Sequence, residues 1–191
     1  MFAGIGVFGA ADATSEEALE MELAAAEGLD CGGAGIDLYK AFAMTDRHIV
    51  YAIMRTGGLP EQLVGTYERF FEDLSFRNKL GLGVGAPHRK YCALAQGCAL
   101  SMPMFALILR PWVHRMRTHG VIPRTLADDV RVHANQSGLR GDDHPCTLVA
   151  RLTGAIDEAF LFMDQMGASI STSKSHLYAS CASIRGLLRN R

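Results

Sequence analysis

Apolar residues recur at helical spacing along much of the chain, and the stretches where that spacing breaks are the informative ones. Thr14 followed by Glu17 makes a capping-box pattern for an Ala- and Glu-rich helix reaching about Glu27. Gly28, Gly32, Gly33 and Gly35 then mark a loop, and a short strand is expected from Gly35 to Leu38. Thr45 or Asp46 can cap a second helix with Ile49, Ile53 and Met54 on one face, ended by Gly57-Gly58. After Pro60 a third helix carries Leu63, Tyr67, Phe70 and Phe71. From Leu74 to Gln96 short alternating stretches surround Gly81, Gly83 and Gly85, which reads as a hairpin. Helical spacing resumes near Ser101, with Phe105, Leu109, Trp112 and Met116 on one stripe. Val121 to Ala134 reads as two short strands joined at Asp128-Asp129, and Asn135 to Pro145 as a polar loop. A helix from about Thr147 carries Leu148, Leu152, Ala155, Ala159, Met163 and Met166, and Gly167 closes it. A strand-like segment from Ala168 to Ala179 precedes a basic tail. Strands interleaved with helices, and at least two hairpins, predict an α+β fold with helices packed on one face of a sheet.

Composition narrows the class. The 191 residues suit one domain, and a 49% hydrophobic content is enough to bury a core. Five cysteines contain no Cys-x-x-Cys pair, which argues against a disulfide framework and a zinc site and fits a reducing compartment. The N-terminus lacks the basic start of a signal peptide. The longest apolar run, Cys98 to Leu109, falls short of the ~20 residues that span a bilayer. The expectation is an intracellular protein, nuclear or cytoplasmic, neither secreted nor membrane-bound. Net charge is −1, but residues 1–36 hold seven acids and no Lys or Arg, so the remainder is mildly basic. That asymmetry permits contact with nucleic acid without demanding it.

Three acids stand out by their surroundings. Asp37 follows Ala34-Gly35-Ile36 and precedes Leu38, and Asp128 and Asp129 sit between Leu126-Ala127 and Val130. A carboxylate flanked by apolar residues is costly to bury unless a cation pairs with it. Adjacent strand side chains point to opposite faces, so Asp128 is expected to converge with Asp37, with Asp129 secondary. Such carboxylates can hold two Mg²⁺ ions ~3.5–4 Å apart for in-line phosphoryl transfer. An Asp-Asp pair alone is more often a solvated turn, and Asp142-Asp143, beside Gly141 and Pro145, is read that way.

Order supplies what the single motifs lack. Asp37-Leu-Tyr-Lys-Ala-Phe42, Gln96-Gly-Cys-Ala-Leu-Ser101, Leu126-Ala-Asp-Asp129, and Gly167 with Ser173-Lys174-Ser175 follow one another, Asp128 lying 91 residues beyond Asp37. In this the sequence resembles the reverse transcriptases of non-LTR (LINE-type) retrotransposons, from about residue 9 to 180. The resemblance implies a polymerase palm with an antiparallel sheet. It makes Asp37, Asp128 and Asp129 the ligands of two Mg²⁺ ions, with Mn²⁺ as a substitute. Phe42 is the implied aromatic gate against a ribose 2′-hydroxyl, and Gln96 and Gly97 the loop along the incoming nucleotide and the template. Lys174 is the implied proton donor to the leaving pyrophosphate. The implied partners are an RNA template, a DNA primer and deoxynucleoside triphosphates. The domains implied are a fingers remnant at 1–33, the palm at 34–180 and a basic tail at 181–191.

Departures set the expected activity. The family often has Ala-Phe-Asp where this chain has Ala41-Phe42-Ala43. The basic residues expected near Gly9 and upstream are missing, and no primer grip or thumb follows Lys174. The chain is therefore expected to be a truncated piece of a longer polyprotein, with weak polymerase activity or none. The competing readings are an RNA-dependent RNA polymerase, which Phe42 opposes; a non-catalytic α+β interaction domain; and a magnesium-dependent phosphatase or receiver domain, which the hairpin at Asp128 fits poorly.

Overall fold

In the computed structural model, residues 10–136 and 144–189 are described. The fingers remnant before residue 10 and the Asp142-Asp143 pair lie outside the described residues. In chain order the elements are helix α1 (Ala10–Ala26), strand β1 (Cys31–Asp37), a single turn α2 (Ala41–Met44), α3 (Arg47–Thr56) and α4 (Glu61–Asp73). A ribbon of four two-residue strands follows, β2 (Ser75–Phe76), β3 (Lys79–Leu80), β4 (Gly83–Val84) and β5 (His88–Arg89). Then come α5 (Ser101–Thr118), β6 (Ile122–Leu126), β7 (Asp129–Asn135), α6 (His144–Gln165), β8 (His176–Ala179) and α7 (Ala182–Arg189). The α+β class and the antiparallel sheet are as expected from the sequence. The sheet has the order β6-β7-β1-β8, all its pairs antiparallel.

Alternation along the strands gives this sheet two unlike faces. Ala34, Ile36, Val130, Val132 and Ala134 are buried and join a core with Leu148, Leu152, Ala155 and Ala159 of α6 and Met104, Ile108 and Trp112 of α5. The opposite face carries Arg131, His133 and Tyr178, and α1 lies across it. Neighbouring glycines show the division: a Cβ on Gly32 would meet Leu152 of α6, whereas one on Gly33 would meet the Tyr178 ring.

These glycines correct the expected boundary. Gly32 and Gly33 are expected in a loop and Gly35 at the start of the strand, yet all three lie inside β1, which with β7 forms the interior of the sheet. The reason is steric. A Cβ on Gly33 would run into the Val132 carbonyl and the Tyr178 ring, and one on Gly35 into the His176 ring. Glycine here makes room for rings from the neighbouring strand. A palm beginning at residue 34 would cut this strand in two.

The other difference is at the C-terminal end. The segment read as a basic tail contains α7, whose Ile184 and Leu188, four residues apart, are buried among the core residues while Arg185 and Arg189 stay exposed. Short, Arg-bearing composition hid an amphipathic turn. Among the described residues no helix is long and apolar enough to cross a membrane.

Candidate active site

The site is built at the end of β1 where it meets the β6–β7 hairpin. Leu126 pairs with Asp129, leaving Ala127 and Asp128 as a two-residue loop. Ala127 takes φ 53°, the left-handed conformation such tight hairpin turns require. The β1–β7 register ends with Asp37 directly opposite Asp129. Residues opposite one another share a face, with Cβ atoms about 5 Å apart. The backbone thus sets Asp129 across from Asp37 and puts Asp128 at the tip of the turn. Both acids of the pair are exposed, and Asp37 is half-buried.

A second segment grips Asp37 from the other side. The Asp37 amide donates to Ser175 Oγ (3.1 Å), and its carbonyl accepts from the Ser171 amide (2.8 Å). The Ser175 hydroxyl in turn donates to the Ser171 carbonyl (2.9 Å), closing a turn over residues 171–175. Leu38 bridges to Ile170, and the Tyr39 amide donates to the Ser169 carbonyl. This turn brings Lys174 Nζ to 3.8 Å from Asp37 Oδ2. At 71% side-chain exposure for the lysine, the pair adds little to stability, so its placement is of interest chiefly as chemistry.

Phe42 follows on α2. Its ring stacks on Phe105 of α5 at 4.9 Å between centroids, so it is partly a core residue, and its carbonyl accepts from the Leu94 amide (2.7 Å). Gln96 and Gly97 lie in the exposed loop after that contact, and Gly97 has φ 93°. The loop is held by Ser101, whose hydroxyl donates to the Ala95 carbonyl (2.8 Å). The structure therefore joins Asp37, Asp129 and Lys174 locally and attaches the 94–97 loop to Phe42. Among the described residues, no three His, Cys, Asp or Glu side chains converge as a metal-binding group. The donor set at the β1–β7 end is two carboxylates with open solvent beside them. It suits a cation that takes one or two carboxylates and fills its shell with water and phosphate oxygens, as Mg²⁺ does.

Sequence reasoning missed two arrangements. The first is Arg47, which is 1% exposed and donates to the carbonyls of Phe71 (2.9 Å), Cys92 (3.1 Å) and Ala93 (2.9 Å). It ties the foot of the β2–β5 ribbon to α3 beside the site. The second is a polar chain on the α1 side of the sheet. Tyr178 O–H donates to Glu17 Oε1 (2.7 Å) and contacts His133 Nδ1 (3.0 Å), while Arg131 donates to Glu17 Oε2 (2.8 Å). Because the tyrosine proton goes to Glu17, His133 is the donor to the phenolic oxygen. Burial raises the Glu17 carboxyl, but the hydrogen bonds from Arg131 and Tyr178, with the Arg131 and Arg124 charges, outweigh it and hold it below the usual value. Burial pushes the His133 imidazole down from its ordinary value. Alternation along β7 was visible in the sequence; that Glu17 of a distant helix would answer Arg131 was not.

A four-stranded antiparallel sheet backed by two long helices, with an acid-tipped hairpin at one end, is a polymerase-palm-like α+β fold. A structure of apo telomerase from Candida tropicalis, truncated of its C-terminal domain, is similar to this chain at a TM-score of 0.61 and 13% identity. The similarity covers 89% of this chain, which spans only about a third (35%) of the telomerase chain. At this identity the likeness is one of fold. No family model matches the sequence, and no curated protein matches it.

Proposed function

We propose that this chain is the palm of an RNA-directed DNA polymerase of the non-LTR retrotransposon type, which adds deoxynucleotides to a primer 3′ end. The observation that carries this reading is the register of Asp37 with Asp129 at an open sheet end, with Lys174 reaching Asp37. Asp37, Asp129 and the adjacent Asp128 would hold two Mg²⁺ ions. The chemistry such ions would supply there is activation of the primer hydroxyl and neutralisation of the leaving phosphate oxygen. Lys174, 3.8 Å from Asp37 Oδ2, would supply the proton to that leaving group. The Phe42 ring, braced by Phe105, would be the group that narrows the space for a ribose 2′-hydroxyl. Gln96 and Gly97 offer a side-chain amide and an unshielded backbone to the incoming nucleotide. Primer, RNA template and deoxynucleoside triphosphate are the substrates on this reading.

Mn²⁺ binding followed by electron paramagnetic resonance, with primer–template and nucleotide present, tests this without requiring turnover. Asp37→Asn should weaken Mn²⁺ binding at least tenfold and abolish any trace of primer extension. Equal Mn²⁺ binding by wild type and Asp37→Asn would overturn the proposal. It would favour the second reading, a non-catalytic α+β interaction domain. Phe42→Ala should increase ribonucleotide use; no gain would remove the gate role.

A further inference from the structure

We propose that the β2–β5 ribbon, residues 75–91, is a docking arm for a single-stranded nucleic acid. The 54 residues from Leu74 to Ala127 contain eight Lys or Arg and no Asp or Glu. Four of them, Arg77, Lys79, Arg89 and Lys90, lie on the ribbon, all exposed and none in an ion pair with a described residue. Four cations clustered without a neutralising carboxylate repel one another, and a polyanion relieves that repulsion.

The ribbon also offers rings. Tyr91 is 84% exposed beside Lys90, whose ammonium lies 4.7 Å from the centroid of the Phe76 ring. An exposed ring flanked by cations is a platform on which an unpaired base stacks while its phosphates are held. Exposed Leu80 and Leu82 at the ribbon tip would suit a protein partner as well. The charge favours nucleic acid, because a protein surface would have to answer four cations with a matching set of acids. The arm has a firm root. Arg47 ties its two ends to α3 through the Phe71, Cys92 and Ala93 carbonyls, Asp46 bridges to Cys92, and the chain passes directly on to Phe42. The root of the arm is thus fixed to α3 and to Phe42, five residues beyond Asp37 in the chain. The identity of the bound strand as a template rests on the polymerase reading above; its binding does not.

The test is fluorescence anisotropy of a labelled single-stranded oligonucleotide of ~20 nucleotides titrated with the full chain at several salt concentrations. In the variant carrying Arg77→Gln, Lys79→Gln, Arg89→Gln and Lys90→Gln, the log–log salt slope should fall by about 3, at roughly 0.7 per lost phosphate contact. Tyr91→Ala should weaken binding about tenfold with the slope unchanged. Mn²⁺ binding by the fourfold variant, measured without oligonucleotide, should stay at the wild-type level, so loss of the arm and failure of the polymerase reading are told apart. An unchanged thermal midpoint in the fourfold variant confirms that it folds. Absence of oligonucleotide binding by the wild type, or an unaltered slope in the fourfold variant, would overturn the proposal, as would displacement by polyglutamate as effective as that by unlabelled oligonucleotide.

Discussion

The same three strands serve two faces that share almost nothing. On the α6 side, Ala34, Val130, Val132 and Ala134 are buried against Leu148, Leu152 and Ala155, and the contacts are apolar. On the α1 side, positions one residue away bear Arg131, His133 and Tyr178, joined to Glu17, and the acids Asp37 and Asp129 at the open end. Packing supplies cohesion on one face, while charges and glycines on the other leave room for rings, ions and solvent. Stability and chemistry are segregated by strand alternation rather than by region of the chain, so substitutions at adjacent strand positions should have opposite kinds of consequence.

The largest effect is expected from placing a charge on the wrong face. Val132 is fully buried, and Val132→Asp puts an unpaired carboxylate into the core. A loss of about 4 kcal/mol or more is expected, enough to unfold a domain of ordinary stability, read as collapse of the urea midpoint. A variant that still unfolds cooperatively near the wild-type midpoint would mean that the α6 face is not the core. Leu152→Ala, on the helix opposite, should cost about 2–5 kcal/mol by leaving a cavity.

Gly33→Ala comes next and probes the other face sterically. Its Cβ would press on the Val132 carbonyl and lie 2.5 Å from the Tyr178 ring. Overpacking of this kind costs about 1–3 kcal/mol. If the thermal midpoint is unchanged, the ring is not seated over the glycine and the explanation for the glycine-rich strand fails.

These two faces also mark what could be read from the sequence. The apolar half was legible because helical and strand periodicity report burial directly: Leu148, Leu152 and Ala155 at helical spacing, Val130 and Val132 at a spacing of two. Asp46 as a helix cap was equally visible, and its side chain accepts from the His48 amide. The β6–β7 turn at Ala127–Asp128 was nearly so. The glycines of β1 misled because a glycine requirement set by a ring on another strand looks, locally, like a loop. The staple at Arg47 was invisible for a related reason: its three carbonyl partners are supplied by backbone 24 to 46 residues away. Side-chain identity carries no mark of which distant carbonyls a guanidinium will meet. Of the site, the residue types could be read, but the choice between Asp128 and Asp129 as the partner opposite Asp37 depended on the register of one hairpin.

A smaller effect is expected from acid. His133 is held below its ordinary imidazole value of 6.5 in the folded chain, so the unfolded chain binds the extra proton first. Stability is therefore full above that value and declines as pH falls through 6.5 toward the folded value. Glu17, held below 4.5, adds a second decline at lower pH, since its ionised form is the one that Arg131 and Tyr178 stabilise. Thermal midpoints measured from pH 7.5 to about 3 should fall in two stages. His133→Gln should flatten the upper stage and Glu17→Gln the lower. A single stage unaffected by His133→Gln would mean that the imidazole is not buried against Tyr178.

The smallest effect has the opposite sign. Asp37 and Asp129 are like charges placed directly opposite each other, an arrangement that costs a few tenths of a kcal/mol to about 1 kcal/mol. Lys174 offsets part of this at Asp37 from an exposed position. Asp129→Asn should therefore raise stability slightly, by about 0.5 kcal/mol, in metal-free buffer, while the same change at the turn residue Asp128 should do less. Sites that keep a destabilising arrangement commonly do so for function. If the pair is kept to hold Mg²⁺, 10 mM of the ion should stabilise the wild type by binding only its folded form. The same addition should leave Asp129→Asn nearly unmoved, so that the order of the two midpoints closes or reverses. A variant that is less stable than the wild type without metal would show that the acids contribute to the fold, and the division of labour between the two faces would then end short of the β1–β7 edge.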